Sequence, residues 1–198
     1  MEMPKRVGII FVTMGVVLVL SAILLFLYND FEDRRAGQRA ESLMDEIQTA
    51  VEEETLPAEM PVAIIDGYEY IGYLSIPDLE LELPVMAEWD YDRLKISPCR
   101  HFGSSETDDL VIAAHNYESH FGLLSKLNIG AEIIFTDMAG NENCYSLQVL
   151  DTLAPDAVDA VQNSGYDLVL YTCTFGGATR VVAFCERVAD EINGEVSS

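Results

Sequence analysis

The spacing of apolar residues changes character twice along the chain. Residues 7–28 (VGIIFVTMGVVLVLSAILLFLY) form an apolar run of 22 positions without a charge. As a helix, that run is long enough to cross a bilayer core of about 30 Å. Residues 34–54 are charged, and Leu43, Ile47 and Val51 recur at a spacing of four, a narrow apolar stripe on a predicted helix. The stretch from Leu56-Pro57 to Pro61 breaks that helix. From residue 62 the period becomes two. Stretches rich in Val, Ile, Leu and Tyr at 68–76, 80–86, 109–114, 131–136, 143–150, 167–172 and 180–185 read as strands separated by turn residues. Asp137-Met138-Ala139-Gly140-Asn141 is a hairpin loop between two of them. Residues 121–127 and 155–162 read as short helices. Seven or eight short strands with few helices predict a mainly β fold, a closed or nearly closed β-barrel.

This pattern divides the chain into a flank at 1–6, a transmembrane anchor at 7–28, a helical stalk at 29–61 and a β-domain at 62–198, the last of ordinary domain size. Lys5 and Arg6 precede the apolar run, and Asp30, Glu32 and Asp33 follow it. The positive-inside bias then places the N-terminus in the cytoplasm and everything after residue 29 outside, on a single-pass membrane protein. A cleaved signal peptide is the competing reading. It would need a shorter apolar region ending at a small-residue site, whereas Ser21-Ala22 lies inside the run. The stalk stripe reads as a solvated spacer helix, with docking on the β-domain or on a second copy as the alternative.

Charge narrows the partners. The net charge is −23, from 34 acids against 11 bases. Beyond residue 60 the bases are Arg93, Lys95, Arg100, Lys126, Arg180 and Arg187. They form no patch dense enough to hold a phosphate backbone, which argues against nucleic acid. No Cys/His pair has metal-ligand spacing, and the acids form no compact calcium loop, so no metal or other cofactor is expected.

Candidate chemistry centres on Cys173. Residues 167–172 and 180–185 flank the Gly-containing loop Thr174-Phe175-Gly176-Gly177-Ala178-Thr179 and read as a hairpin. That hairpin sets the Cys173 thiol at one strand end beside the Arg180 guanidinium at the start of the next. A thiol beside a permanent cation suits a cysteine nucleophile, because the thiolate is the reactive form. Such a nucleophile needs an imidazole to move protons. His115 ends the apolar run Leu110-Val111-Ile112-Ala113-Ala114 and emerges from a buried strand into a loop, where scaffold meets exposed chemistry. His120 reads as a structural loop residue, and His101, after Arg100, as a loop residue without a role.

These segments resemble the sortases, membrane-anchored cysteine transpeptidases of Gram-positive bacteria. The resemblance covers about residues 70–188. It runs through Ile71-Gly72-Tyr73-Leu74-Ser75-Ile76-Pro77, Leu83-Pro84-Val85, Asp109 to Asn116 around His115, and Leu170-Tyr171-Thr172-Cys173 with Arg180, in the family's order. It implies a barrel with a groove over these strands. It also implies cleavage of a C-terminal sorting signal of LPxTG type between threonine and glycine. The threonine would be held as a thioester, then passed to an amine on a cell-wall precursor or a pilin lysine. Carried over, Cys173 is the nucleophile, His115 the acid and base, and Arg180 the stabiliser of the oxyanion. Thr172 would shape the oxyanion site or hold the substrate backbone. Surface proteins bearing sorting signals would be the partners.

Departures from the family pattern qualify the subfamily. Ala114 stands where many relatives have glycine. Cys99, Cys144 and Cys185 are additional thiols, read as buried small hydrophobes, with one disulfide and one leftover thiol as the alternative. The short connection at 151–166 argues against a long helical insertion of the class B kind, although Thr172 to Phe175 and His115-Asn116 look like that class. No aspartate–proline–aromatic lid precedes residue 100, where Trp89-Asp90-Tyr91 reads as an aromatic loop. A wall anchorer is favoured over a pilus polymerase. A thiol hydrolase without transfer, and a non-enzymatic surface-anchored binding barrel, remain the alternatives.

Overall fold

Nine strands carry the fold of the computed structural model, which describes residues 5–53 and 60–188. They are β1 (Ala63–Ile65), β2 (Tyr68–Ile76), β3 (Leu81–Met86), β4 (Cys99–Phe102), β5 (Leu110–Ala114), β6 (Glu132–Asp137), β7 (Glu142–Leu153), β8 (Leu168–Cys173) and β9 (Arg180–Arg187). Their order is β1-β2-β3-β4-β5-β8-β9-β7-β6, and pairing of β2 with β6 joins the ends. Eight strands thus form a closed barrel, which leaves few unpaired backbone edges. β1 pairs only with the first residues of β2, ahead of the stretch that β6 covers. Two pairs are parallel, β3 with β4 and β5 with β8.

The expected strands are all present, with ends moved by up to three residues, as for β7. β1 and β4 were not expected: one has three residues and the other, Cys-Arg-His-Phe, has no apolar alternation. The two expected helices shrink. Within 121–127 only the 3-10 turn Leu124–Lys126 forms, and 155–162 yields α2 (Val158–Gln162). Gly122 shows why the first is a turn. A Cβ there would lie 2.6 Å from the carbonyl oxygens of Asn116 and Tyr117, so the chain folds back on itself more tightly than a helix allows.

Strand alternation sorts the side chains onto two faces. Leu110, Ile112, Leu168, Leu170, Phe135 and Leu147 fill the barrel interior with other fully buried residues. On the outer face of β5, β8 and β9, Val111, Val169, Val182 and Phe184 are covered by Val161 of α2 and by Phe102, Leu153 and Tyr166. The hairpin between β6 and β7 is pinned by Asp137. Its carboxylate accepts the backbone N–H groups of Ala139 and Asn141 and the side-chain amide of Asn141, each at 2.9 Å.

Helix α1 spans Lys5–Glu53, and the chain divides into compact units Met1–Arg35 and Ala36–Ser198. The first unit presents Ile9, Phe11, Leu24 and Phe26 outward, and this helix is long and apolar enough to cross a membrane, with mean hydropathy 2.9 over an 18-residue stretch. In the second unit, Ala36, Ala40, Leu43, Met44 and Ile47 are buried. Leu43 and Ile47 pack with Tyr70, Met86, Cys99 and Met138 on the outside of the barrel. The stripe is therefore a docking face and not a solvated spacer. The compact unit begins at Ala36, ahead of the domain boundary expected at residue 62. The side chain of Val51, the third residue of the stripe, lies outside the described residues.

Candidate active site

The register of β8 with β9 runs from Leu168 opposite Cys185 to Cys173 opposite Arg180. Residues that face each other in an antiparallel pair project from the same face. Leu168 and Leu170 point into the barrel, so Tyr171 and Cys173 point outward, and Arg180 projects outward with Val182 and Phe184. The thiol and the guanidinium are thus cross-strand neighbours on the outer face.

The loop that joins them is clasped at its base. Thr174 N–H donates to the Thr179 carbonyl at 3.0 Å, Thr179 N–H donates to the Thr174 hydroxyl at 3.1 Å, and the two hydroxyls lie 2.9 Å apart. Gly176 and Gly177 turn the chain at φ 81° and 74°, a region open to glycine without strain. Phe175 at the tip is exposed. The Arg180 Nη1 donates to the carbonyls of Gly177 and Thr179, each at 3.0 Å. Its Nε and Nη2 have no hydrogen-bond partner among the described residues.

His115 comes from β5. The last register pair of β5 with β8 is Ala114 opposite Thr172, both buried. His115 follows directly on that last pair, as Cys173 follows Thr172 on the neighbouring strand. Its ring stacks on Tyr117 with centroids 3.8 Å apart and planes 21° apart. Its carbonyl accepts from Phe121 N–H at 3.2 Å. The loop that carries it rests on α1, where Gly37 lies against Ser119. Thr172 does not aim its hydroxyl at the outer face. That hydroxyl donates to the Ala114 carbonyl at 2.9 Å inside the structure, which ties the end of the histidine strand to the end of the cysteine strand.

The remaining cysteines and histidines separate by burial. No disulfide joins any of the four cysteines. Cys99 and Cys185 are buried, and burial pushes each thiol up to about 12. Cys144 and Cys173 are half-buried. His120 is fully buried against Tyr117. His101 departs from its expected place in a loop: it sits in β4, and its Nδ1 lies 2.7 Å from the Tyr171 hydroxyl. Sequence reasoning missed it because no single residue type near it signals a strand.

Cys173 and Arg180 open onto a cleft of about 250 Å³. Trp89, Tyr91, His101, Phe102 and Tyr171 line it on the strand side; Leu153, Pro155, Val158 and Val161 line it on the other. The aromatic loop is thus part of the cleft wall, with Trp89 and Tyr91 packed edge to face at 4.7 Å. An apolar trench with a thiol and a guanidinium at one end suits an extended peptide whose carbonyl is to be attacked.

The closed barrel defines the fold class, and sequence comparison names the family. The family profile described as the sortase domain matches residues 74–188, and the chain belongs to the sortase family. Its fold is similar to that of sortase C1 from Streptococcus agalactiae, with 26% identity and a TM-score of 0.54 over 64% of this chain and 72% of that one. It is also similar to sortase C from Streptococcus pneumoniae (20% identity, TM-score 0.56, 79% and 88% covered). Sortase A from Corynebacterium diphtheriae is a further fold relative (21%, 0.54, 69% and 65%). No curated protein matches the chain. As a sortase, it belongs to a family of cysteine transpeptidases that act on proteins bearing sorting signals.

Proposed function

We propose that this sortase cleaves an LPxTG-like C-terminal sorting signal through a thioester on Cys173 and transfers the protein to a cell-wall or pilin amine. The observation that carries the reading is the pairing of Cys173 with Arg180 on the outer face of the barrel; His115 directly follows the end of the adjacent parallel strand β5. The Cys173 thiolate attacks the carbonyl carbon of the threonine–glycine bond. The Nε and Nη2 groups of Arg180 donate to the resulting oxyanion. His115, as imidazolium, gives its proton to the leaving amine; the C–N bond breaks and the thioester remains. An incoming amine then attacks the thioester carbonyl, His115 takes its proton, and the C–S bond breaks to regenerate the Cys173 thiolate beside the imidazolium. Thr172 acts indirectly, by fixing the two strand ends through its bond to Ala114. The helix at residues 7–28 anchors the enzyme as a single-pass protein, N-terminus in the cytoplasm and catalytic barrel outside.

Intact-mass measurement after incubation with LPxTG-type peptides tests the reading. A covalent adduct on the wild type, absent from Cys173→Ala, supports it; an adduct that persists in Cys173→Ala moves the nucleophile elsewhere. Adding a small amine should convert hydrolysed product into transfer product. Hydrolysis alone at every amine concentration would make the enzyme a protease.

A further inference from the structure

Beyond Cys173 and Arg180, the cleft holds a second polar construction that the reaction above does not use. In β4 the register with β5 passes from Arg100 opposite Ile112 to Phe102 opposite Val111, so His101 is the extra residue of a bulge. A bulge re-aims the side chain it inserts. Here it brings His101 to the same outer face as Phe102, their rings 3.9 Å apart, and both line the cleft. Tyr171 stands on β8, with β5 between it and β4. The β5 residue opposite Tyr171 is Ala113, whose side chain is too small to block the way. The phenol therefore reaches across Ala113, and its oxygen lies 2.7 Å from His101 Nδ1.

The direction of that hydrogen bond follows from the partners. Burial keeps the Tyr171 phenol protonated and holds the His101 imidazole below its usual range, so both are neutral at neutral pH. If Nδ1–H donated to the phenol oxygen, the phenolic proton would have no acceptor among the described residues. Tyr171 O–H donating to Nδ1 satisfies it, and leaves the imidazole proton on Nε2. Nε2 has no partner among the described residues. Trp89, whose ring lies 5.2 Å from that of His101, has a buried indole N–H that is likewise unpartnered among them. Arg180 adds its own unused donors. Among these donors the Trp89 indole N–H is the buried one, and a buried donor left unmade costs about 1–3 kcal/mol. What completes such a cleft is a ligand that brings acceptor oxygens.

We propose that His101 is a substrate-binding residue of this sortase, its Nε2–H donating to an uncharged oxygen of the bound peptide, a backbone carbonyl or side-chain amide, with Tyr171 as the positioning residue that fixes its tautomer. A neutral donor in an apolar trench matches a neutral acceptor, since Arg180, the cation at this cleft, is assigned above to the scissile carbonyl. The inference rests on the transpeptidase reading of Cys173.

The experiment compares His101→Gln, which keeps an N–H donor at a similar reach, with His101→Leu, which keeps bulk and removes the donor. The full-length enzyme in detergent is assayed for thioester formation with an LPxTG-type peptide over a range of concentrations. His101→Leu is expected to raise KM about tenfold, the worth of one hydrogen bond, with kcat within about twofold. His101→Gln should restore most of it. Tyr171→Phe should raise KM in the His101 background and have little further effect beside His101→Gln, whose amide needs no tautomer fixed. Equal KM for His101→Leu and the wild type overturns the proposal. So does an equal loss in His101→Leu and His101→Gln, which marks a structural residue. If the wild type forms no thioester, the Cys173 reading fails and takes this inference with it; a wild-type thioester with unchanged His101→Leu kinetics fails this inference alone.

Discussion

Arg180 offers the sharpest test of how the hairpin would work. Its guanidinium has five N–H donors in a fixed fork. Nη1 is engaged by the carbonyls of Gly177 and Thr179, which lock the fork against the loop. Nε and Nη2 remain, beside Cys173 in the register, at the mouth of the cleft. A preorganised donor aimed at a developing oxyanion is worth about 3 kcal/mol, or two to three decades in rate. Arg180→Ala should therefore lower kcat/KM for acylation by about two to three decades. Arg180→Lys should fall between, because a single ammonium cannot hold the two loop carbonyls and the oxyanion together.

The assay is stopped-flow or quench-flow acylation followed by intact mass, which isolates thioester formation from transfer. Peptide binding, measured separately on Cys173→Ala, should change little, since the missing interaction belongs to the transition state. Acylation of Arg180→Ala within a few-fold of the wild type would refute the oxyanion role. A loss that appeared wholly in binding would instead make Arg180 a ground-state clamp on the substrate carbonyl.

Three further outcomes are expected. Alkylation at neutral pH, followed by peptide mapping, should label Cys173 first and Cys144 next. Cys99 and Cys185, buried and pushed up to about 12, should react only on unfolding; early labelling of Cys185 would contradict its place in the barrel. Ile47→Ala, at a fully buried site against Tyr70 and Met86, should cost about 3 kcal/mol in urea unfolding, and a loss below about 1 kcal/mol would mean the helix does not dock. Thr172→Val keeps the shape but leaves the Ala114 carbonyl without its hydroxyl donor. It should cost about 1 kcal/mol of stability and more than tenfold in acylation, with Thr172→Ser near wild type. Equal acylation by the valine variant would detach the strand clasp from catalysis.

What could be read from the sequence, and what could not, divides by the distance over which a contact closes. The Cys173–Arg180 pair was legible because hairpin register follows from seven residues of local sequence. The barrel strands were legible because each alternates apolar and polar faces on its own. The stripe of Leu43 and Ile47 was visible as a period, but a spacing of four looks the same whether it faces water or faces Tyr70 and Met86. The partner lies on β2 and β3, and nothing local points there. His101 was lost for a stronger reason. The bulge adds one residue to β4, so the alternation that would have revealed its face is broken where it matters. Its meaning also depends on Ala113, an unremarkable residue inside an apolar run. Only across the parallel pairing of β5 with β8 does that alanine become the gap through which Tyr171 reaches β4. A larger side chain at 113 would leave every local signal unchanged and still separate the phenol from the imidazole. The hydrogen bond between Tyr171 and His101 thus depends on a small residue that no local signal singles out.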